Sequence, residues 1–293
     1  MTGQLGRFAN AQVEQRFLVA YDRAMAAWPV ERYSFDVDTA FGRSHVHRCG
    51  RASGTPVVLL STQVVSPAVW AKNVAVFAER RPVFAVEILG GAGRGVQTAP
   101  IRGAEDTARW LDEVLARTGL GRVHLVGTTY GGWVALNHAL RRPDRVASLS
   151  LLNPVHLLRL RRSFFLGLAG ISRMLWAARS DAARRRLLAE GVDDEPNSPL
   201  VEASVLAVYR YRAEILPTAY PTDGELRAMA APTLVLCSGG NGKYGARAVD
   251  RVRALVPSVE ADVVAEHSKV VSAEVVNARV PSFIDGVEAR WPR

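Results

Sequence analysis

The sequence predicts an α/β protein in which a mostly parallel sheet carries helices on both faces. Three observations predict it. Short, β-branched apolar runs alternate with segments of helical spacing through residues 57–152. The same alternation resumes after residue 222. The one long stretch that lacks it lies between two strands, as an insertion would.

The elements follow in order. The stretch MTGQLGRFANAQVEQRFLVAYDRAMAAWP has amphipathic helical spacing and lacks the basic, apolar and small-residue order of a signal peptide. Tyr33–Asp38 and His45–Cys49 read as an antiparallel lead-in hairpin. Val57–Leu60, Val83–Ile88, Val123–Val126 and Val146–Leu152 are strand-like runs bounded by Gly, Pro or Arg. Between them Val69–Arg80, Ala104–Thr118 and Gly131–Arg141 are helical; Trp110, Leu111, Val114 and Leu115 form the apolar stripe of the second. After residue 222 come strands at Thr233–Cys237 and Val259–Val264, and helices at Ala246–Leu255 and Val275–Asp285. Strands that are apolar throughout suit a parallel sheet covered on both faces. From Pro154 to about Thr222 the chain is rich in Leu, Arg and Ala and carries Phe164, Phe165, Trp176, Tyr209 and Tyr211. This stretch reads as helical, with a loop at Asp193–Pro199. It would form a lid over the strand ends, where open α/β sheets bind ligands.

Composition excludes several classes. The chain has 293 residues, 48% of them hydrophobic, enough for one sizeable core. No window of about eighteen apolar residues exists to span a bilayer. Cys49 and Cys237 stand far apart and read as buried free thiols, which fits a cytoplasmic location. The net charge is +9, carried almost wholly by Arg, because Lys occurs only at Lys72, Lys243 and Lys269. The Arg residues are spread over nearly every helix and do not cluster with aromatics, so neither nucleic acid nor membrane is expected as a partner. Arg159, Arg161 and Arg162, with Arg184, Arg185 and Arg186, are the local concentration; they would attract an anionic substrate or an acidic carrier protein. His45, His47, His124 and His138 share no metal-ligand spacing. The run GGAGRG is no dinucleotide fingerprint, since no helix opens at its third glycine. No cofactor or metal is expected. Glu87 ends a strand just before this glycine loop and reads as its anchor.

The chemistry concentrates at Gly127-Thr128-Thr129-Tyr130-Gly131-Gly132, between a strand and a helix. A Gly-x-nucleophile-x-Gly sequence in that setting makes a sharp turn whose glycines allow close backbone approach. The central residue is pushed up at a helix N-terminus, where N–H groups face the substrate. Here the central residue is Thr129.

On this motif the chain resembles the α/β-hydrolase family, of the bacterial esterase-like kind with a helical cap. PVVLL, SPAVWAKNVAVFAERRPVFAV, the ILGGAGRG loop, WLDEVLARTGLGRVHLVG, APTLVL and VVNARVPSFI carry the resemblance over most of the chain. It implies an α/β-hydrolase fold: a mostly parallel eight-stranded sheet with helices on both faces and a helical cap inserted after strand 6. Residues 1–153 and 223–293 would be the core and 154–222 the cap. It also implies a Ser nucleophile, an Asp acid and a His base in that chain order. The residues in those slots differ. Thr129 stands for the serine, and Ser61-Thr62 for the His-Gly pair of the oxyanion loop. Asn241 falls in the acid slot, and Asn153 in the position some relatives use instead. Counting forward places Lys269 in the histidine slot, where KVVS matches best. Counting backward gives Glu266, and His267 lies between.

A triad needs a nucleophile, a base that accepts its proton near neutral pH and a group that orients the base. Thr129 keeps a hydroxyl, but its methyl crowds a strained turn. An ordinary Lys269 is protonated and accepts no proton unless desolvation lowers its pKa. Asn241 offers no countercharge. The N–H groups of Tyr130 and Gln63 still suit an oxyanion. These slots lead to the expectation of a non-hydrolytic, cofactor-independent enzyme of secondary metabolism. It would perform proton-transfer chemistry (cyclisation, elimination, isomerisation or C–C bond formation) on a hydrophobic carbonyl or phenol metabolite. Lys269, Thr129 and Asn241 would be its catalytic residues. Ser61, Gln63, Tyr130, Trp70, Trp133 and His156 would bind substrate, with His267 and Glu266 as alternative catalytic groups. Two alternatives stay open: an inactive pseudo-hydrolase that binds a ligand or partner, and a weak esterase using Thr129.

Overall fold

A computed structural model describes residues 5–158, 180–212, 219–241, 243–264 and 269–291. Its centre is a sheet whose strands are β2 (Arg32–Thr39), β3 (Gly42–Gly50), β4 (Val57–Leu60), β5 (Pro82–Val86), β7 (Val123–Thr128), β8 (Val146–Leu152), β10 (Thr233–Ser238) and β11 (Val259–Val264). They lie in the order β11-β10-β8-β7-β4-β5-β3-β2, and the two-residue β6 (Val96–Gln97) adds to β3. From β11 to β5 every pairing is parallel, whereas β5-β3 and β3-β2 are antiparallel. The eight expected strands thus form one continuous path, and β6 is a ninth among the described residues.

The alternation of side chains along the strands builds two cores. Val58 and Leu60 face one side; Val57 and Leu59 face the other, all of them 0–1% exposed. The first side packs on α3 (Ala104–Arg117), α4 (Tyr130–Arg141) and α8 (Lys243–Leu255) through Trp110, Trp133 and Val252. The Trp110 indole N–H also donates to Ser44 Oγ at 2.8 Å, so its polar edge is satisfied in the core. The second side packs on α1 (Ala11–Met25), α2 (Val74–Ala78) and α9 (Ala273–Glu288) through Phe17, Phe77 and Phe283.

Between β8 and β10 the chain leaves the sheet and forms α5 (Asp181–Val192), α6 (Pro199–Arg210), β9 (Tyr211–Arg212) and α7 (Asp223–Arg227). Phe164, Phe165, Trp176, Arg159, Arg161 and Arg162 lie outside the described residues. The N-terminus joins this insertion: β1 (Arg7–Phe8) pairs with β9, and α1 packs against α6. Nothing local in the sequence announced that pairing, because two-residue strands have no periodicity.

The expected helix Val69–Arg80 is broken. A 3-10 turn at Pro67–Trp70 precedes α2. Asn73, between them, sends its side chain to α9, donating to Asn277 Oδ1 at 2.9 Å and to the Ala273 carbonyl. Tertiary hydrogen bonds override the helical spacing there. No described helix is long and apolar enough to cross a membrane.

Candidate active site

Thr129 is the residue between β7 and α4. Its backbone has φ 52° and ψ −110°, a conformation that costs a β-branched residue ~1–3 kcal/mol. Its N–H donates to the Leu152 carbonyl at 2.9 Å, which ties the turn to the end of β8. The flanking glycines are required by contact. A Cβ at Gly127 would stand 2.4 Å from the Gly131 oxygen, and one at Gly131 would stand 2.3 Å from the Leu60 and Ser61 oxygens. The turn is thus wedged against the end of β4, as its spacing predicts.

The Thr129 side chain opens on a cavity of about 80 Å³. Val65, Trp70, Leu152, Val192, Val271 and Val276 supply its apolar wall, and Thr62 and Thr128 add hydroxyls. Thr128 Oγ1 lies 3.4 Å from Thr129 Oγ1. Val192, at the end of α5, closes the cavity from the insertion. The valines were not legible as site residues, because an apolar residue carries no chemical signature.

The loop after β4, where the sequence placed an oxyanion site, is held by its own hydroxyls. Ser61 Oγ donates to the Val65 carbonyl at 2.9 Å, and Thr62 Oγ1 accepts the Val64 N–H at 3.2 Å. Ser61 is buried and serves the turn, not a substrate. The main-chain N–H groups of Gln63 and Tyr130 have no acceptor among the described residues.

The other expected site residues fall into two groups. Trp70 lines the cavity. Trp133 does not: it is 1% exposed, and its indole N–H donates to the Ala219 carbonyl at 2.9 Å. The Tyr130 ring turns toward Trp133, 5.4 Å between centroids, and burial pushes its hydroxyl pKa well above the ordinary tyrosine value, so it stays protonated at neutral pH. His156 packs edge-on to Tyr220 outside the cavity wall, at φ 64°.

Lys269 needs correction. Its ammonium bonds Glu190 Oε2 of α5 at 3.1 Å, and its side chain is 61% exposed. Lys269 does not line the Thr129 cavity; its side chain pairs with α5 instead. It is its carbonyl that meets the site's frame, accepting from the Asn153 amide at 3.0 Å. Asn153 also accepts the Ser238 N–H at 2.6 Å. It joins the ends of β8 and β10 to the segment after β11. Asn241 ends a 3-10 turn, Gly239–Asn241, after β10. Glu266 and His267 lie outside the described residues. The basic concentration is partly described: Arg184 pairs with Asp181 and stacks over Tyr209.

A parallel sheet with antiparallel lead-in strands, a strand-turn-helix elbow and an adjoining loop after β4 define the α/β-hydrolase fold. The sequence profile of the α/β-hydrolase fold matches residues 55–187. Carboxylesterase YbfK of Bacillus subtilis (strain 168) is 28% identical over 96% of this chain and 97% of its own. A second relative from that organism, named uncharacterized carboxylesterase nap, is 28% identical over 92% of each chain. The crystal structure of carboxylesterase CesB (YbfK) superposes with a TM-score of 0.81 at 26% identity, over 94% of this chain and 99% of that one. Naproxen esterase (carboxylesterase NP) from Bacillus subtilis gives 0.79 at 25% identity, over 94% and 99%. The chain has the α/β-hydrolase fold and is similar to bacterial carboxylesterases.

These relatives overturn the expectation of non-hydrolytic proton-transfer chemistry in secondary metabolism. That expectation rested on the slot residues, Lys269 above all, and the likeness to named esterases extends over nearly the whole chain. The inactive pseudo-hydrolase loses ground to the same finding. The esterase alternative fits it better.

Proposed function

We propose that the protein is a carboxylesterase-type hydrolase of esters with a small apolar group, using Thr129 as nucleophile. The observation that carries this reading is the elbow conformation of Thr129 beside the cavity. A β-branched residue is kept at φ 52°, where glycine would fit without strain. That placement is unfavourable for folding and favourable only for a hydroxyl aimed at a bound group. The carboxylesterase relatives support the same chemistry.

In this reading Thr129 Oγ1 attacks the ester carbonyl while a base takes its proton. The Gln63 and Tyr130 N–H groups hold the oxyanion of the tetrahedral intermediate. The base returns the proton to the departing alcohol, leaving an acyl ester on Thr129 that water hydrolyses. His267, between Val264 and Lys269 in the chain, is assigned as the base in this proposal. A secondary hydroxyl in a crowded turn makes the enzyme slower than its serine counterparts.

The test is hydrolysis of p-nitrophenyl acetate and butyrate by the purified protein and by Thr129→Ala and His267→Ala. Both substitutions should reduce turnover by at least ~10²-fold. A fluorophosphonate probe should add to Thr129, located by peptide mass spectrometry. Turnover that survives Thr129→Ala, with no adduct on that residue, defeats the reading.

A further inference from the structure

We propose that Glu87 and Tyr21 are positioning residues for the Gln63 N–H, so that helix α1 is part of the support of the active site. This deepens the esterase reading and rests on Gln63 as an oxyanion donor.

Glu87 follows β5 and is 6% exposed. Its Oε2 accepts the N–H groups of Arg94 and Gly95 at 2.7 and 3.0 Å. Its Oε1 accepts the phenol proton of Tyr21 at 2.5 Å. Tyr21 belongs to α1 and is 1% exposed. Having given its only proton to Glu87, its oxygen can only accept from His47 Nε2, 2.6 Å away. His47 Nδ1 is then bare and accepts from Ser34 Oγ at 2.6 Å. The chain of bonds therefore has one direction, from Ser34 through His47 and Tyr21 to the Glu87 carboxyl group. Burial supports it by pushing His47 down to about 3, so that the imidazole carries no charge and keeps one bare nitrogen.

The glycine loop that Glu87 holds is the same one that grips Gln63. Ala92 N–H donates to the Gln63 carbonyl at 2.9 Å. A Cβ at Gly91 would stand 2.5 Å from the Gln63 oxygen and 2.9 Å from its Cα. A Cβ at Gly93 would stand 2.3 Å from Glu87 Oε2. Both contacts leave no slack, so a shift of the Glu87 carboxylate moves the loop, and the loop moves Gln63. An oxyanion donor acts by direction as much as by presence. Neither Glu87 nor Tyr21 lines the Thr129 cavity, so their effect reaches a substrate only through Gln63.

The experiment compares wild type, Tyr21→Phe and Glu87→Gln on p-nitrophenyl butyrate and on its thiono analogue, in which sulfur replaces the carbonyl oxygen. Sulfur is a poorer acceptor, so the oxo-to-thiono rate ratio reports on the oxyanion donors. Tyr21→Phe, which keeps the ring, should lower kcat for the oxo ester about tenfold with KM within about twofold, and shrink the ratio. A parallel fall for both esters, or a change in KM alone, overturns the proposal. Amide hydrogen exchange on the same proteins should quicken in peptides covering residues 61–65 and 90–95; unchanged exchange there also overturns it. If wild type hydrolyses no ester, the functional reading fails, while the exchange result still decides whether Glu87 and Tyr21 hold Gln63.

Discussion

The amide nitrogen of Asn153 donates to the Lys269 carbonyl while its oxygen accepts the Ser238 N–H. One side chain thus joins three chain segments at the strand ends beside Thr129. Asn153 stands at φ 46°, a conformation that Asn and Asp tolerate better than other residues with a Cβ. Asn153→Asp would keep the backbone and the bond from Ser238 but place a carboxylate oxygen against the Lys269 carbonyl. The substitution should lower unfolding free energy by about 1–2 kcal/mol and lower kcat/KM for p-nitrophenyl butyrate. Urea denaturation and steady-state kinetics check both. An unchanged urea midpoint would show that the bridge contributes nothing.

The fold and the elbow were legible in the sequence for physical reasons that act locally. Val57–Leu60 and Val146–Leu152 are continuous apolar runs of strand length, and the structure has them with those bounds. Gly127 and Gly131 are spaced by a steric demand that any elbow imposes. Lys269 was misread because the direction of one loop side chain depends on Glu190, 79 residues away. Counting along a shortened segment has no access to that partner. The Tyr21–Glu87–His47 bonds span 66 and 26 positions. The sequence offered Glu87 as the anchor of its glycine loop, which the bonds from Arg94 and Gly95 match, but nothing announced the phenol beside it.

Two of the three lysines hold α5 to the core. Lys72 pairs with Asp193 at 3.4 Å and Lys269 with Glu190 at 3.1 Å, on either side of Val192. All four side chains are more than half exposed, so each pair contributes no more than ~1 kcal/mol and is screened by salt. The double substitution Lys72→Met, Lys269→Met should therefore leave the global urea midpoint almost unmoved. Local opening should rise instead, read as faster limited proteolysis within residues 180–212 at low ionic strength. Wild type should approach the same rate in high salt. Equal cleavage of the two proteins at low salt would remove these pairs as latches.

Strain at Thr129 gives a stability prediction of unusual sign. Thr129→Gly relieves a cost of ~1–3 kcal/mol at φ 52°. Against this, glycine adds ~0.5–1 kcal/mol of unfolded-chain entropy. The variant should be more stable by roughly 1 kcal/mol, seen as a higher Tm, and should lose ester hydrolysis. Thr129→Ser, which removes only the methyl, should raise kcat about tenfold by relieving crowding at the nucleophile. A destabilised glycine variant would mean that the turn is not strained.

Acid sensitivity should come from histidines buried without charge. Burial pushes His47 down to about 3 and His138 down to about 4. His138 is fully buried; its Nδ1–H donates to the Ala108 carbonyl at 3.2 Å, and its Nε2 has no partner among the described residues. A base whose folded pKa is depressed takes up its proton only on unfolding. From an unfolded value near 6.5 down to about 4, the unfolded chain therefore holds one more proton at His138, and stability falls as pH falls. Above about 6.5 the site contributes no slope. Glu87 acts in the opposite sense, because burial raises its pKa, so the native chain holds the extra proton and stability there falls as pH rises. The histidine slope is isolated by substitution. His138→Gln should flatten the dependence of urea stability on pH between about 6.5 and 4 by close to one proton. An unaltered slope would show that His138 titrates normally in the folded protein.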